Sequence, residues 1–120
     1  MDTSAELDSI DAARIVVELA SELQASDITM IDIGDVSDFA DYFVVMTADS
    51  SRQINAILRD IEDALKMRGK RLHHREGSPE GGWVLLDFSD IIIHCFQSDV
   101  RDFYQIEDAW AKGLQTVRIQ

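Results

Sequence analysis

The run Trp83-Val84-Leu85-Leu86-Asp87-Phe88-Ser89-Asp90-Ile91-Ile92-Ile93-His94-Cys95-Phe96 constrains the fold more than any other stretch of the chain. Both arms are rich in Val, Ile, Leu and aromatics, the residues that suit a pleated, packed surface. A two-residue turn at Phe88-Ser89, flanked by Asp87 and Asp90, predicts a register. Leu86 then faces Ile91, Leu85 faces Ile92, Val84 faces Ile93 and Trp83 faces His94. Successive side chains on a strand point to opposite faces. Val84, Leu86, Ile91, Ile93 and Cys95 therefore make a wholly apolar face. Trp83, Leu85, Asp87, Asp90, Ile92, His94 and Phe96 make a mixed one. The first face belongs in a core; the second calls for a helix, a ligand or a partner.

The flanking segments supply the rest of a mixed sheet. From Asp8 or Ser9 to Ala25, the spacing of Ala13, Val16, Val17, Ala20 and Leu23 predicts a helix with one apolar stripe. Ile28–Ile33 and Tyr42–Thr47 read as strands apolar on both faces, hence interior. Ser50-Ser51-Arg52-Gln53 fits a capping box. It opens a helix with Ile54, Ile57, Leu58, Ile61 and Leu65 on one stripe, ended by Gly69. Arg71–Arg75 is expected to form a short strand, and residues 77–82 a mobile loop. Ser98 is expected to cap a third helix carrying Phe103, Ile106 and Trp110 on one stripe, with Val100 and Tyr104 beside it. Residues 1–8 and 114–120 are expected to be flexible tails. The element order predicts a single α/β (α+β) domain over 1–120, with one mixed sheet of about five strands packed with helices.

Charge narrows the functional classes. The chain has 120 residues, with 23 Asp and Glu against 11 Lys and Arg, for a net charge of −12. A free-standing nucleic-acid binder shows a basic footprint, so direct, sequence-specific nucleic-acid binding is not expected. An acidic chain that works near nucleic acid does so by gripping a basic protein. The acidic start, Met1 to Ser9, lacks the pattern of a secretory leader. No apolar run approaches bilayer length, and the single cysteine forms no internal disulfide. These features predict a cytoplasmic protein without membrane contact.

Catalytic readings fare poorly against simpler ones. Asp87 and Asp90 bring to mind the carboxylates of metal-assisted phosphoryl transfer, and Gly77-Ser78 precedes them as in nucleotidyltransferases. That chemistry needs two carboxylates at alternate positions of one strand, on one side; these two flank a turn, where Asp is common for local reasons. His73 and His74 are adjacent on a strand and point apart, so they do not share an ion, and no cofactor or metal is expected. Cys95 points into the apolar face, where a thiol is inert. Trp83 follows a Gly-Gly pair and shares its face with acids and a histidine. It fits either an interface anchor or a residue covered by a helix.

Three segments resemble the ribosomal silencing factor family (RsfS, or Iojap-related). Asp41-Tyr42-Phe43-Val44-Val45 with Thr47, Ser51 and Gln53 resembles its first signature. Glu76-Gly77, Gly82 through Asp87 and Asp90 through His94 resemble its second. Arg101, Phe103-Tyr104, Glu107 and Trp110 resemble its third. Together they span about Ala12 to Trp110. Two positions depart from the family's usual glycine, Ala48 and Ser89. The resemblance implies a nucleotidyltransferase-like topology without the catalytic carboxylate pair. It implies a non-enzymatic factor that binds the large ribosomal subunit through the basic protein of the uL-fourteen family. There it would block joining of the small subunit and repress translation in starvation or stationary phase. It also implies a homodimer when free. On this reading Trp83, Leu85 and Ile92 supply the apolar contact, with His94 beside them, and Asp87, Asp90 and Glu76 meet basic side chains. The alternatives are a divergent nucleotidyltransferase and a self-associating interaction module.

Overall fold

A computed structural model describes residues 7–35, 38, 40–100 and the backbone of 114–119. The elements are α1 (Ser9–Glu22), β1 (Ser26–Asp32), β2 (Tyr42–Ala48), α2 (Ser51–Met67), β3 (His74–Ser78), β4 (Trp83–Asp87), β5 (Ile91–Gln97) and β6 (Leu114–Ile119). The strands form one sheet in the order β3-β4-β5-β2-β1-β6. Only β2 and β5 run parallel, from Tyr42↔Ile91 to Ala48↔Gln97; the other neighbours are antiparallel. The crossover between parallel neighbours needs a long connection, and α2 with the β3–β4 hairpin provides it.

Both helices bury apolar stripes against the same sheet face. Ala12, Ala13, Val16, Val17 and Ala20 of α1 join Ile54, Ile57, Leu58, Ile61 and Leu65 of α2. Beneath them lie Met30, Val44, Met46, Val84, Leu86, Ile91, Ile93 and Cys95. The other face closes a second core around Ile31, Ile33, Phe43, Val45, Ile92 and Phe96. The capping box at α2 forms in part: the Ser50 hydroxyl accepts from the Gln53 N–H at 3.1 Å. The Gln53 side chain reaches past its usual target, accepting from the Asp49 N–H. Its amide donates to the carbonyls of Leu23 and Gln24. One side chain thus ties the end of α1 to the start of α2.

Several expectations need correction. The hairpin is two residues out of the expected register: Trp83 faces Phe96, Leu85 faces His94 and Asp87 faces Ile92. The turn is longer than two residues because Ser89 takes φ 84° and Asp87 accepts its N–H at 2.7 Å, while Phe88 folds inward and is buried. A slip of two leaves every side chain on its expected face, so the partition into two faces survives. The strand expected at Arg71–Arg75 runs His74–Ser78. The segment expected to be a mobile loop is ordered by a 3-10 turn at Pro79–Gly81, capped by the Ser78 hydroxyl on the Gly81 N–H, with Pro79 buried. The tail expected to be flexible forms β6, a sixth strand pairing β1, and Leu7 packs against the first core. Residues 98–100 are helical; Phe103, Tyr104, Ile106 and Trp110 lie outside the described residues.

Deleting residues 114–120 leaves the outer edge of β1 without its partner. Its open N–H and C=O groups then invite pairing with other chains. The truncated protein is expected to melt at lower temperature and to elute partly as aggregates in size-exclusion chromatography.

Candidate functional site

The expected site residues other than Asp90 fall on three adjacent strands of the second face, graded by depth. Residues directly opposite on antiparallel strands share a face, so Glu76, Leu85 and His94 form one cross-sheet row. Ser78, Trp83 and Phe96 form the next, and His74, Asp87 and Ile92 a third. The β3 members are exposed, the β4 members half-buried and the β5 members buried. Ile92 and His94, at 7% and 3% exposure, are the floor of the site and not its contact surface, contrary to the role expected for them. What remains at the margin is an apolar pair, Trp83 and Leu85, with Glu76 across from Leu85 and Asp87 two residues further along β4.

Asp90 does not join this margin. Both its carboxylate oxygens accept from Lys70 Nζ, at 2.9 and 2.8 Å. Its backbone carbonyl accepts from the N–H groups of Asp41 and Tyr42. Asp90 is therefore a latch that pins the β4–β5 turn to the start of β2 and to the connection after α2. With one acid on Lys70 and the other, Asp87, accepting the Ser89 N–H, the pair is not arranged as ligands of a shared cation. Among the described residues no three His, Cys, Asp or Glu side chains cluster as metal ligands.

Trp83 is held by aromatic neighbours and by one hydrogen bond. Its ring lies at 17° to His94 and 21° to Phe96, with centroids 6.2 and 6.1 Å away. Phe43 meets His94 edge-on at 5.1 Å. The Trp83 indole N–H donates to His94 Nδ1 at 3.2 Å. That bond requires Nδ1 to be unprotonated, which places the neutral ring's proton on Nε2. Nε2 is buried with no hydrogen-bond partner among the described residues. Burial pushes the His94 pKa down to about 4. Gly77 makes the close β3–β4 approach possible. It sits at φ 82°, and an added Cβ would fall 2.2 Å from the Trp83 carbonyl oxygen.

The shared face of Trp83, Leu85 and Asp87 was legible from the alternation of the hairpin; Glu76 came only with the family resemblance, and its place beside Leu85 comes from the β3 pairing. Lys70, Phe43 and Gly77 were missed. The one available signal was Gly77 itself, a glycine within an otherwise strand-like run.

A mixed sheet covered by helices on one face, with an apolar pair beside two acids at its margin, makes this a small α+β domain. The comparisons give that class a family. The family model described as "Ribosomal silencing factor during starvation" matches residues 6–120. The ribosomal silencing factor RsfS of Zymomonas mobilis is 38% identical over 100 residues, covering 83% of this chain and 75% of the relative. That of Bacillus subtilis is 34% identical over 97 residues, covering 81% and 82%. A crystal structure of a Chromobacterium violaceum protein superposes with a TM-score of 0.83 at 27% identity, covering 94% of this chain and 92% of that one. The chain belongs to the ribosomal silencing factor family.

The buried histidine sets a pH limit. The native state keeps His94 neutral down to about pH 4, whereas the unfolded chain protonates it near 6.5. Between these values only the unfolded state gains the proton, so stability falls as pH drops from 6.5 to 4, by about 3 kcal/mol for this group. His94→Asn keeps an acceptor for the indole and does not titrate. Urea unfolding from pH 7 to 4 is expected to show a smaller acid loss in this variant than in the parent. Equal losses would remove His94 from the account.

Proposed function

We propose that this protein is a non-enzymatic, cytoplasmic translation repressor that binds the large ribosomal subunit through its basic uL-fourteen-family protein. By occupying that face it sterically blocks joining of the small subunit under starvation. Membership of the family supports the ribosomal role. The observation that carries the docking role is the margin itself: half-buried Trp83 and Leu85, with Glu76 and Asp87 beside Leu85, on a chain of net charge −12. Tryptophan in a partly desolvated rim is the favoured anchor of protein interfaces. Acidic flanks steer a basic partner and fix its register, with faster association at low salt. The free chain self-associates through the same margin, so the dimer and the ribosome compete for it.

Cosedimentation with purified large subunits tests the reading. Trp83→Ala is expected to weaken binding tenfold or more, the loss of a hot spot of about 2 kcal/mol. Because this change also strips His94 of its donor, Glu76→Lys serves as a second variant at an exposed site on β3, where the carboxylate meets His74. It is expected to slow association at low salt while leaving the melting temperature within a few degrees of the parent. Wild-type protein that fails to bind large subunits, or binds without reducing subunit joining, overturns the proposal.

A further inference from the structure

The cations of this acidic chain are not spread evenly. Residues 66–75 hold Lys66, Arg68, Lys70, Arg71 and Arg75, five of the eleven Lys and Arg, together with two of the three histidines. The same ten residues contain none of the 23 acids. They run from the last turn of α2 into β3, the edge strand of the sheet. The C-terminal dipole of α2 favours Lys66 and Arg68, and Asp90 neutralises Lys70. Neither accounts for Arg71 and His73, which are exposed. Arg68 and Arg71 make no ion pair with any described residue. Between this connection and the Phe88–Asp90 turn lies a recess of about 370 Å³ with Arg71 and His73 on its wall.

We infer that this basic edge contacts the phosphate backbone of ribosomal RNA when the acidic margin engages its protein partner. The inference rests on the proposed docking to the large subunit and adds a second, oppositely charged contact to it. A chain with this net charge is repelled by an RNA-rich particle. A local excess of cations, met by Asp90 at Lys70 and by Glu76 at His74 and placed where the chain enters β3, lowers that repulsion on one side. Exposed guanidinium groups pair with phosphate oxygens through bidentate hydrogen bonds. Such contacts position the protein without reading sequence. The two contacts together orient the domain: acids toward the basic protein, cations toward RNA.

The test compares Arg68→Gln/Arg71→Gln with Arg14→Gln/Arg52→Gln, which removes the same charge from exposed positions on α1 and α2. Binding to purified large subunits is titrated across salt concentrations. Loss of two phosphate contacts is expected to weaken binding roughly tenfold at low salt and to flatten the dependence of log K on log salt by about two units, while the control pair changes neither. A photo-cross-linker attached at Met67→Cys identifies the neighbour. Met67 is 86% exposed within the basic run, and the native Cys95 is buried and shielded from labelling. Cross-links to ribosomal RNA are expected. Cross-links to a ribosomal protein alone, or an unchanged affinity and salt slope in Arg68→Gln/Arg71→Gln, overturn the inference while leaving the docking proposal standing. Wild-type protein that does not bind the subunit at all overturns both.

Discussion

The parallel pairing of β2 with β5 is the constraint from which the rest of the molecule follows. These strands sit at the centre of the sheet with both faces closed, so every residue from Phe43 to Ala48 and from Ile91 to Phe96 is buried. Strands in that position must be apolar on both sides, and the polar exceptions, Thr47 and His94, are held inside. Parallel neighbours also require a crossover. The chain meets that need with α2 on one face, then lays the β3–β4 hairpin outside β5. The hairpin is thereby left at the edge: β3 is exposed on both faces, and β4 is covered on the helix side and only partly on the other. The margin at Trp83 and Leu85 is a by-product of this topology: an apolar face that runs out of cover near the sheet's edge.

The central strands and both helices were legible because burial writes periodicity into a sequence. The two-residue error in the hairpin register came from Phe88. A buried aromatic in the turn lengthens it, and Ser89 adopts a left-handed conformation that its composition does not advertise. Assignment to faces was immune to the error, since the side-chain period is two. The last strand was illegible for a different reason. Its pairing with β1 shifts register between Met30 and Ile31, so Leu114 to Ile119 shows no continuous alternation. Irregular strands carry their instruction in the partner and not in themselves.

The site was half legible. Alternation placed Trp83, Leu85 and Asp87 on one face, and the β3 pairing brought Glu76 beside them. What local sequence does not contain is depth. Ile92 and His94 share the face of Trp83 yet lie one strand further in, where the second core seals them. Nor does it contain the partner of Asp90, because Lys70 reaches that carboxylate through the tertiary arrangement of the α2–β3 connection. An acid that looked available for an outside cation already holds one. The orphaned Nε2 of His94 is the cost of placing an imidazole under Trp83, offset by three aromatic contacts and a fixed indole.

The pairing of β6 with β1 carries a consequence for how the chain folds. Ile28 lies opposite Ile119, so β1 waits for a partner strand far along the chain. Until residues 114–119 dock, the outer hydrogen bonds of β1 have no partner and the sheet lacks its sixth strand. Contacts this distant in sequence are closed late, after the loop entropy between them has been overcome. Before that closure the sheet has five strands, with β1 as well as β3 at an open edge.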